Sequence, residues 1–351
     1  CSVKISNMNK DQLKAWKEKR RKRKQSLNHN DLLKAILAGD VGALSSGITL
    51  LESNRIEDKK TARKLVTSCL PYSGKSVRLG ITGVPGVGKS TFIESFGQVV
   101  VEKGHKLAVL AVDPSSEISG GSILGDKTRM TQLSVLENAF IRPSPAGKSL
   151  GGVARKTRES IILCEAAGYD FILIETVGVG QSETMVHSMV DFFMLLMLSG
   201  AGDELQGIKR GIMEMADCLV ITKADGDNKV KAQRAKKEYE GAMHLFPPNE
   251  NGWVSKAMIA SSLENYNIEK AYHIVQEYVN HTQENKFFQQ NRRKQNRYWL
   301  HETISDTLLL NFYSADHLKE EITKIEEQVV SGQLSPFDGA ELLLELYYKG
   351  R

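Results

Sequence analysis

From residue 77 onward the chain alternates short apolar runs with stretches of helical period. Val77, Leu79 and Ile81 alternate with Arg78 and Gly80, a strand signal extending over Val77–Thr82. Further strand candidates are Leu107–Asp113, Ala139–Pro143, Phe171–Thr176, Phe192–Leu198, Cys218–Lys223 and Ala257–Ser261. Helical patterns separate most of them, among them Thr91–Val101, Gly152–Ala167 and Asn228–Leu245. Several of these runs are apolar at every position, as strands covered on both faces are, and strands alternating with helices are joined as βαβ units. The pattern predicts an α/β fold with a mainly parallel sheet covered by helices on both faces.

Helical patterns also flank this region. Residues 8–70 read as helical: Leu32, Leu33, Ile36 and Leu37 form one apolar face, and Leu44, Ile48 and Leu51 begin another. Asn30 or Asp31 is placed to cap the first of these helices. From about Asn267 the strand signals stop. Ile268–Thr282 reads as one amphipathic helix, and Leu300, Ile304, Leu308 and Phe312 repeat every four residues on another. Ile322, Ile325 and Val329 continue the pattern, and Ser335-Pro336 opens a last helix ending in Leu342–Tyr348. A helical tail after a complete α/β domain is expected to serve as a dimerisation element, with packing inside the chain as the alternative.

Composition narrows the function classes. The 351 residues allow about two domains, and 41% hydrophobic residues suffice for a sizeable core. The longest apolar run, Phe192–Leu198, is far shorter than the ~20 residues of a membrane helix, and no secretory signal is visible. Cys1, Cys69, Cys164 and Cys218 are widely spaced, which argues against a disulfide framework or a zinc site and suits a reducing cytoplasm. The net charge of +5 is uneven: residues 1–24 hold ten Lys or Arg against Asp11 and Glu18, leaving −3 for residues 25–351. The excess is one arm, Lys17–Lys24. Apart from Trp16 it has no interleaved aromatics, so it reads as a solvated arm in preference to a nucleic-acid contact.

The chemistry is concentrated at Gly83-Val84-Pro85-Gly86-Val87-Gly88-Lys89-Ser90, which fits the phosphate-loop pattern G-x-x-x-x-G-K-[ST], with Thr91 following. A predicted strand precedes it and a predicted helix follows, the context the motif requires. Glycines let the backbone N–H groups of Gly86, Val87, Gly88, Lys89, Ser90 and Thr91 curl around phosphate oxygens at the positive end of a helix. Lys89 is the candidate for the β- and γ-phosphates and Ser90 for Mg²⁺. Together with the flanking helices this predicts a P-loop NTPase with N- and C-terminal helical extensions. The expected domains are 1–70, a basic arm and helical extension; 71–266, the nucleotide domain; and 267–351, the helical dimerisation region.

In open α/β sheets the ligand lies at the carboxyl ends of the strands, so the residues there carry the information. Asp113 and Glu175 stand at two such ends and Asp126 follows in a Gly-rich connection. Mg²⁺ takes oxygen ligands, and Ser90, Asp113, Asp126 and Glu175 are the candidate metal set. Gly178 offers a backbone N–H toward a γ-phosphate, whereas Gln181 reads as a surface residue. Thr222-Lys223-Ala224-Asp225 matches the [NT]-K-x-D signature of guanine readers. Asp225 can accept from guanine N1–H and its exocyclic amine, with the Lys223 stem over the ring; adenine offers no N1–H, and the unpaired carboxylate rejects it by roughly 10⁴-fold. Ser261-Ser262-Leu263 resembles the loop that meets guanine O6 through backbone N–H. The expected cofactors are GTP or GDP and Mg²⁺.

These words, with Gly120–Met130, Glu175–Glu183 and Gly200–Lys209, resemble the MeaB/ArgK group of GTPases that chaperone adenosylcobalamin-dependent methylmalonyl-CoA mutase. The resemblance runs from about Leu32 to Leu263; Thr222, Glu117-Ile118-Ser119 and the basic arm depart from the pattern. It implies a homodimer built through the C-terminal helices, Mg²⁺ ligation by Ser90, Asp113, Asp126 and Glu175, and a switch loop around Asp203–Lys209 through which the mutase stimulates hydrolysis. The candidate catalytic residues are accordingly Lys89, Asp113, Gln206 and Lys209, although Asp203 read by itself also fits an ordinary helix cap. The resulting expectation is a Mg²⁺-dependent GTPase that gates cofactor loading or protection of a cobalamin-dependent acyl-CoA mutase. A nickel-type metallochaperone GTPase would show clustered His or Cys, but the eight histidines are dispersed. A transport-linked kinase would need a phosphoacceptor site and conflicts with Asp225.

Overall fold

The computed structural model describes residues 29–53, 55–112, 130–143, 150–176, 182–200 and 210–350. Seven strands form one sheet: β1 Val77–Gly83, β2 Leu107–Val112, β3 Ala139–Arg142, β4 Phe171–Thr176, β5 Phe192–Met197, β6 Cys218–Ile221 and β7 Lys256–Ile259. Their order is β3-β2-β4-β1-β5-β6-β7. Every pairing is parallel. The first strand is therefore interior, with Ile81 opposite Glu175 on one side and Gly83 opposite Leu196 on the other. The run predicted as Cys218–Lys223 ends as a strand at Ile221, because Lys223 takes φ +54, a left-handed conformation that cannot continue an extended chain.

The helices are α1 His29–Leu37, α2 Val41–Glu52, α3 Ile56–Cys69, α4 Lys89–Glu102, α5 Leu150–Ala166, α6 Ser182–His187, α7 Arg210–Glu214, α8 Asn228–Met243, α9 Ile268–Glu284, α10 Phe287–Tyr313, α11 Lys319–Val330 and α12 Pro336–Lys349. Both sheet faces are covered, as the continuous apolar strands require. On one face Leu79, Phe171, Phe192 and Met194 pack with Phe92 and Phe96 of α4 and with Ile268, Val275 and Tyr278 of α9. On the other face of β5 and β6, Leu195, Met197, Leu219 and Ile221 pack with Ala232, Ala235 and Tyr239 of α8. Leu32 and Ile36 of α1 and Leu44, Ile48 and Leu51 of α2 are buried, matching the predicted apolar faces, and Leu65 of α3 is buried as well. Asn30 and Asp31 fall within the first turn of α1; it is Asp40 that caps a helix, accepting from Ala43 N at 2.6 Å before α2.

Polar groups at the amino-terminal edge of the sheet are paired, Asp191 and Asp217 buried and Asp170 exposed. Asp170, Asp191 and Asp217 accept from the backbone N–H groups of Lys106, Arg78 and Phe193 at 2.8, 2.8 and 2.9 Å. Each side chain thus satisfies a neighbouring strand at its start. Arg78 also meets Glu165 of α5 at 2.9 Å, and Ser76 Oγ and Gly74 N donate to the same carboxylate at 2.5 and 2.7 Å. Burial alone would push the Glu165 carboxyl up, but Arg78 and these donors outweigh it and hold it below the ordinary carboxylate value.

The chain divides into two compact units, 1–289 and 290–351. In the second, Ser335 caps α12 by accepting from Asp338 N at 3.1 Å, with Pro336 in the first turn, and Gly339 lets α12 approach Ile325 and Val329 of α11. Leu300, Ile304 and Leu308, the i+4 series, are 59%, 48% and 51% exposed on α10. No helix among the described residues is long and apolar enough to cross a membrane.

Candidate functional site

The phosphate loop joins β1 to α4 at the carboxyl edge of the sheet. Its path depends on glycine at two positions. A Cβ on Gly83 would stand 2.5 Å from the Leu196 carbonyl, so only glycine lets β1 pass β5 there. Gly88 has φ +90 and directs the chain into α4, which begins at Lys89, two residues before the predicted start. The Lys89 ammonium arches back over the loop and donates to the carbonyls of Gly83 and Val84 at 2.7 and 3.2 Å. Burial pulls its pKa below the ordinary lysine value, while the charges of Glu175 and Glu183 act in the opposite direction.

Glu175 comes from β4, paired directly against β1, and this adjacency brings it to the loop. Ser90 Oγ and Glu175 Oε1 lie 3.4 Å apart. Two hard oxygens at that spacing, one hydroxyl and one carboxylate, are a donor set that suits Mg²⁺. Behind them Thr176 Oγ1 donates to Thr82 Oγ1 at 2.7 Å, tying the ends of β4 and β1 together in a buried position.

The residues expected to read the base stand on the other side of β1, after β6 and β7. Ser261 Oγ donates to Asp225 Oδ2 at 2.9 Å and accepts from Glu264 N at 3.2 Å. The Glu264 carboxylate in turn accepts from Gly226 N at 3.2 Å, so the two predicted base loops are cross-connected. The Lys223 stem passes over the phosphate loop: a Cβ on Gly88 would lie 3.9 Å from Lys223 Cε. Ser262 offers its carbonyl to Ser95 Oγ of α4 at 3.4 Å, and Leu263 is 82% exposed.

Of the predicted site residues, Gly86, Val87, Gly88, Lys89, Ser90, Thr91 and Glu175 thus gather on the phosphate side. Lys223, Asp225, Ser261, Ser262 and Leu263 gather on the base side. Asp113, Asp126, Gly178, Gln206 and Lys209 lie outside the described residues, as do Gln181, Asp203 and the arm Lys17–Lys24.

Two contacts around these loops were not foreseen in the sequence. Thr222, read there as a departure from the commoner Asn, donates through Oγ1 to the Val87 carbonyl at 2.7 Å and lies 3.1 Å from the Met197 carbonyl. Glu183 is a buried carboxylate in the first turn of α6 that acts on Lys89. Its place among polar residues carried no signal of burial.

An all-parallel sheet with a lysine-bearing glycine loop after an interior strand, and a separate carboxylate loop for the base, defines a P-loop GTPase. Residues 44–317 match the family described as Methylmalonyl Co-A mutase-associated GTPase MeaB. The chain belongs to this MeaB family. A putative GTPase of Caulobacter vibrioides is 47% identical over 322 residues, 92% of this chain and 98% of that protein. GTPase ArgK of Escherichia coli is 41% identical, covering 89% and 95% of the two chains. The mouse methylmalonic aciduria type A homolog, mitochondrial, is 44% identical over 90% of this chain and 79% of its own length. Among solved structures, one described as LAO/AO transport system kinase superimposes with a TM-score of 0.74 at 34% identity, covering 92% of this chain and 98% of its own.

Proposed function

We propose that this GTPase requires Mg²⁺ and serves as a chaperone that gates cofactor loading or protection of an adenosylcobalamin-dependent acyl-CoA mutase, methylmalonyl-CoA mutase being the partner its family name suggests. The observation that carries the GTP chemistry is the convergence of Lys89, Ser90 and Glu175 at the ends of β1 and β4, with Asp225 and Ser261 at the ends of β6 and β7.

Ser90 and Glu175 would hold the Mg²⁺, together with Asp113 and Asp126. Bound there, the ion would supply positive charge to offset that of the β- and γ-phosphates. Lys89 binds the same phosphates and stabilises the charge that builds on them. Asp225, fixed by Ser261, accepts from the guanine edge. Gly178 offers its N–H to the γ-phosphate, and Gln206 and Lys209 belong to the loop whose engagement by the partner completes the catalytic set. Without that engagement turnover is slow, because phosphate stabilisation alone leaves the attacking water poorly oriented.

The exposed Leu300, Ile304 and Leu308 series supports a homodimer through the C-terminal helices. The test is the rate of GTP hydrolysis with and without purified mutase. Acceleration is expected, and it should vanish in Lys89→Ala. An unchanged rate at saturating mutase would remove the chaperone reading while leaving the GTPase intact.

A further inference from the structure

Asn228, the first residue of α8, uses both ends of its carboxamide on two different loops. Its Nδ2 donates to the Lys223 carbonyl at 2.6 Å, and its Oδ1 accepts from Ser199 Oγ at 2.7 Å. The arrangement is chemically one-way. A carbonyl only accepts, so the amide nitrogen has to face Lys223, and the oxygen is left for the serine hydroxyl. Ser199 follows the end of β5, two residues beyond Met197.

Lys223 is the residue that needs holding. It has φ +54, a backbone conformation that non-glycine residues keep only where their surroundings enforce it. Its carbonyl belongs to the peptide that leads through Ala224 to Asp225. Fixing that carbonyl therefore fixes both the lysine stem and the carboxylate behind it.

We propose that Asn228 is a positioning residue for guanine recognition and that Ser199 makes the end of β5 a control point for nucleotide release. This rests on the reading of Asp225 as the guanine acceptor. The reaction of the phosphates is untouched by the amide, which works through Lys223. A pull on the β5 end that withdraws the serine frees the carboxamide to rotate, loosens the Lys223 peptide and speeds release of GDP. A regulator acting at Ser199 would thus be an exchange factor, without touching base or phosphate.

The experiment measures GDP dissociation and the ratio of GDP to IDP affinity, in the presence of Mg²⁺, for the full chain and its Asn228→Ala, Ser199→Ala, Ser199→Thr and double-alanine variants. IDP lacks the exocyclic amine, so the ratio reports the placement of Asp225. Alanine is well tolerated in the first turn of a helix, so Asn228→Ala is expected to fold. Asn228→Ala should raise the dissociation rate about tenfold and lower the ratio at least about threefold, the range one hydrogen bond supplies. Ser199→Ala should give part of both effects, Ser199→Thr neither, and the double variant no more than Asn228→Ala. Unchanged dissociation in Asn228→Ala overturns the proposal, as does a lowered Tm with an unchanged ratio, which would leave only a structural role. The underlying reading is judged separately: if Asp225→Asn keeps its preference for GDP over XDP, the guanine assignment itself fails.

Discussion

Thr222 Oγ1 donates to the Val87 carbonyl at 2.7 Å, so the Thr222–Asp225 loop is fastened to the glycine loop after β1. Val87 is fully buried, and without Thr222 its carbonyl would lose a partner that water cannot readily replace. Thr222→Val keeps the shape and removes the donor. It should cost about 1–3 kcal/mol, seen as faster GDP dissociation together with a lower Tm. Thr222→Ser should retain most of both. Equal dissociation rates for the valine and serine variants would show that the contact does not couple the loops.

Lys89 is expected to be indispensable for hydrolysis. Removing a donor aimed at developing charge lowers kcat by about 10²–10³ or more. Lys89→Ala should lose at least this much, measured as phosphate release under single-turnover conditions. Turnover at the parental rate would take the loop out of the reaction.

Asp225 should set the choice of base. Asp225→Asn exchanges an acceptor for a group that can donate, and preference should move from guanine to xanthine nucleotides. Competition binding of GDP and XDP checks it, with a change in ratio on the order of 10² or more expected from leaving buried polar groups mismatched.

Asp217 gives the fold a pH dependence of defined sign. Burial pushes its carboxyl up to about 8, against the opposing effect of the Phe193 N–H. In the unfolded chain it ionises near its ordinary value of about 3.9. Between these values the unfolded state has released the proton and the folded state has kept it, so this residue's contribution weakens as pH rises, by up to roughly 1 kcal/mol per pH unit. Asp217→Asn keeps an acceptor for Phe193 and has no proton to lose. Compared with the parent, it should gain relative stability from pH 5 to pH 8 in chemical denaturation. A constant difference over that range would contradict the assignment.

The Arg78–Glu165 pair should behave as a buried ion pair does. Glu165 is nearly inaccessible, and Arg78→Met would leave its charge without a counterpart. The expected loss is about 3–5 kcal/mol. Because Glu165 is held below its ordinary value, its contribution is present above the unfolded pKa and is lost as pH falls through the folded one. Arg78→Met with Glu165→Leu should recover much of the loss in urea titrations. Failure of the double variant to improve on Arg78→Met would place the importance of Arg78 elsewhere.

Much of this was legible in the sequence because it is written in local periodicity. All seven strand candidates form strands, since runs such as Phe192–Met197 are apolar at every position and short. The glycine loop and the Thr222–Asp225 word carry fixed spacings, so their places at strand ends followed once the strands were known. What stayed hidden depends on which strands become neighbours. Glu175 reaches Ser90 because β4 pairs with β1, 94 residues away in register, and no local pattern records that. Glu183 and Asn228 look like ordinary polar residues near helix starts; burial with a charge felt at Lys89 in one case, and two bonded loops in the other, become visible only in three dimensions. Thr222 looked like a weaker version of Asn, although its hydroxyl is sufficient to reach Val87.

The interior position of β1 also fixes an order of events during biosynthesis. Its second neighbour, β5, supplies the Leu196 carbonyl against which the turn at Gly83 is closed, so a ribosome must release more than a hundred further residues before that turn has its final support. Pairing over such separations is slow, and early apolar strands remain open to wrong partners meanwhile. The glycine loop consequently gains its final shape only after β5 has been made and paired.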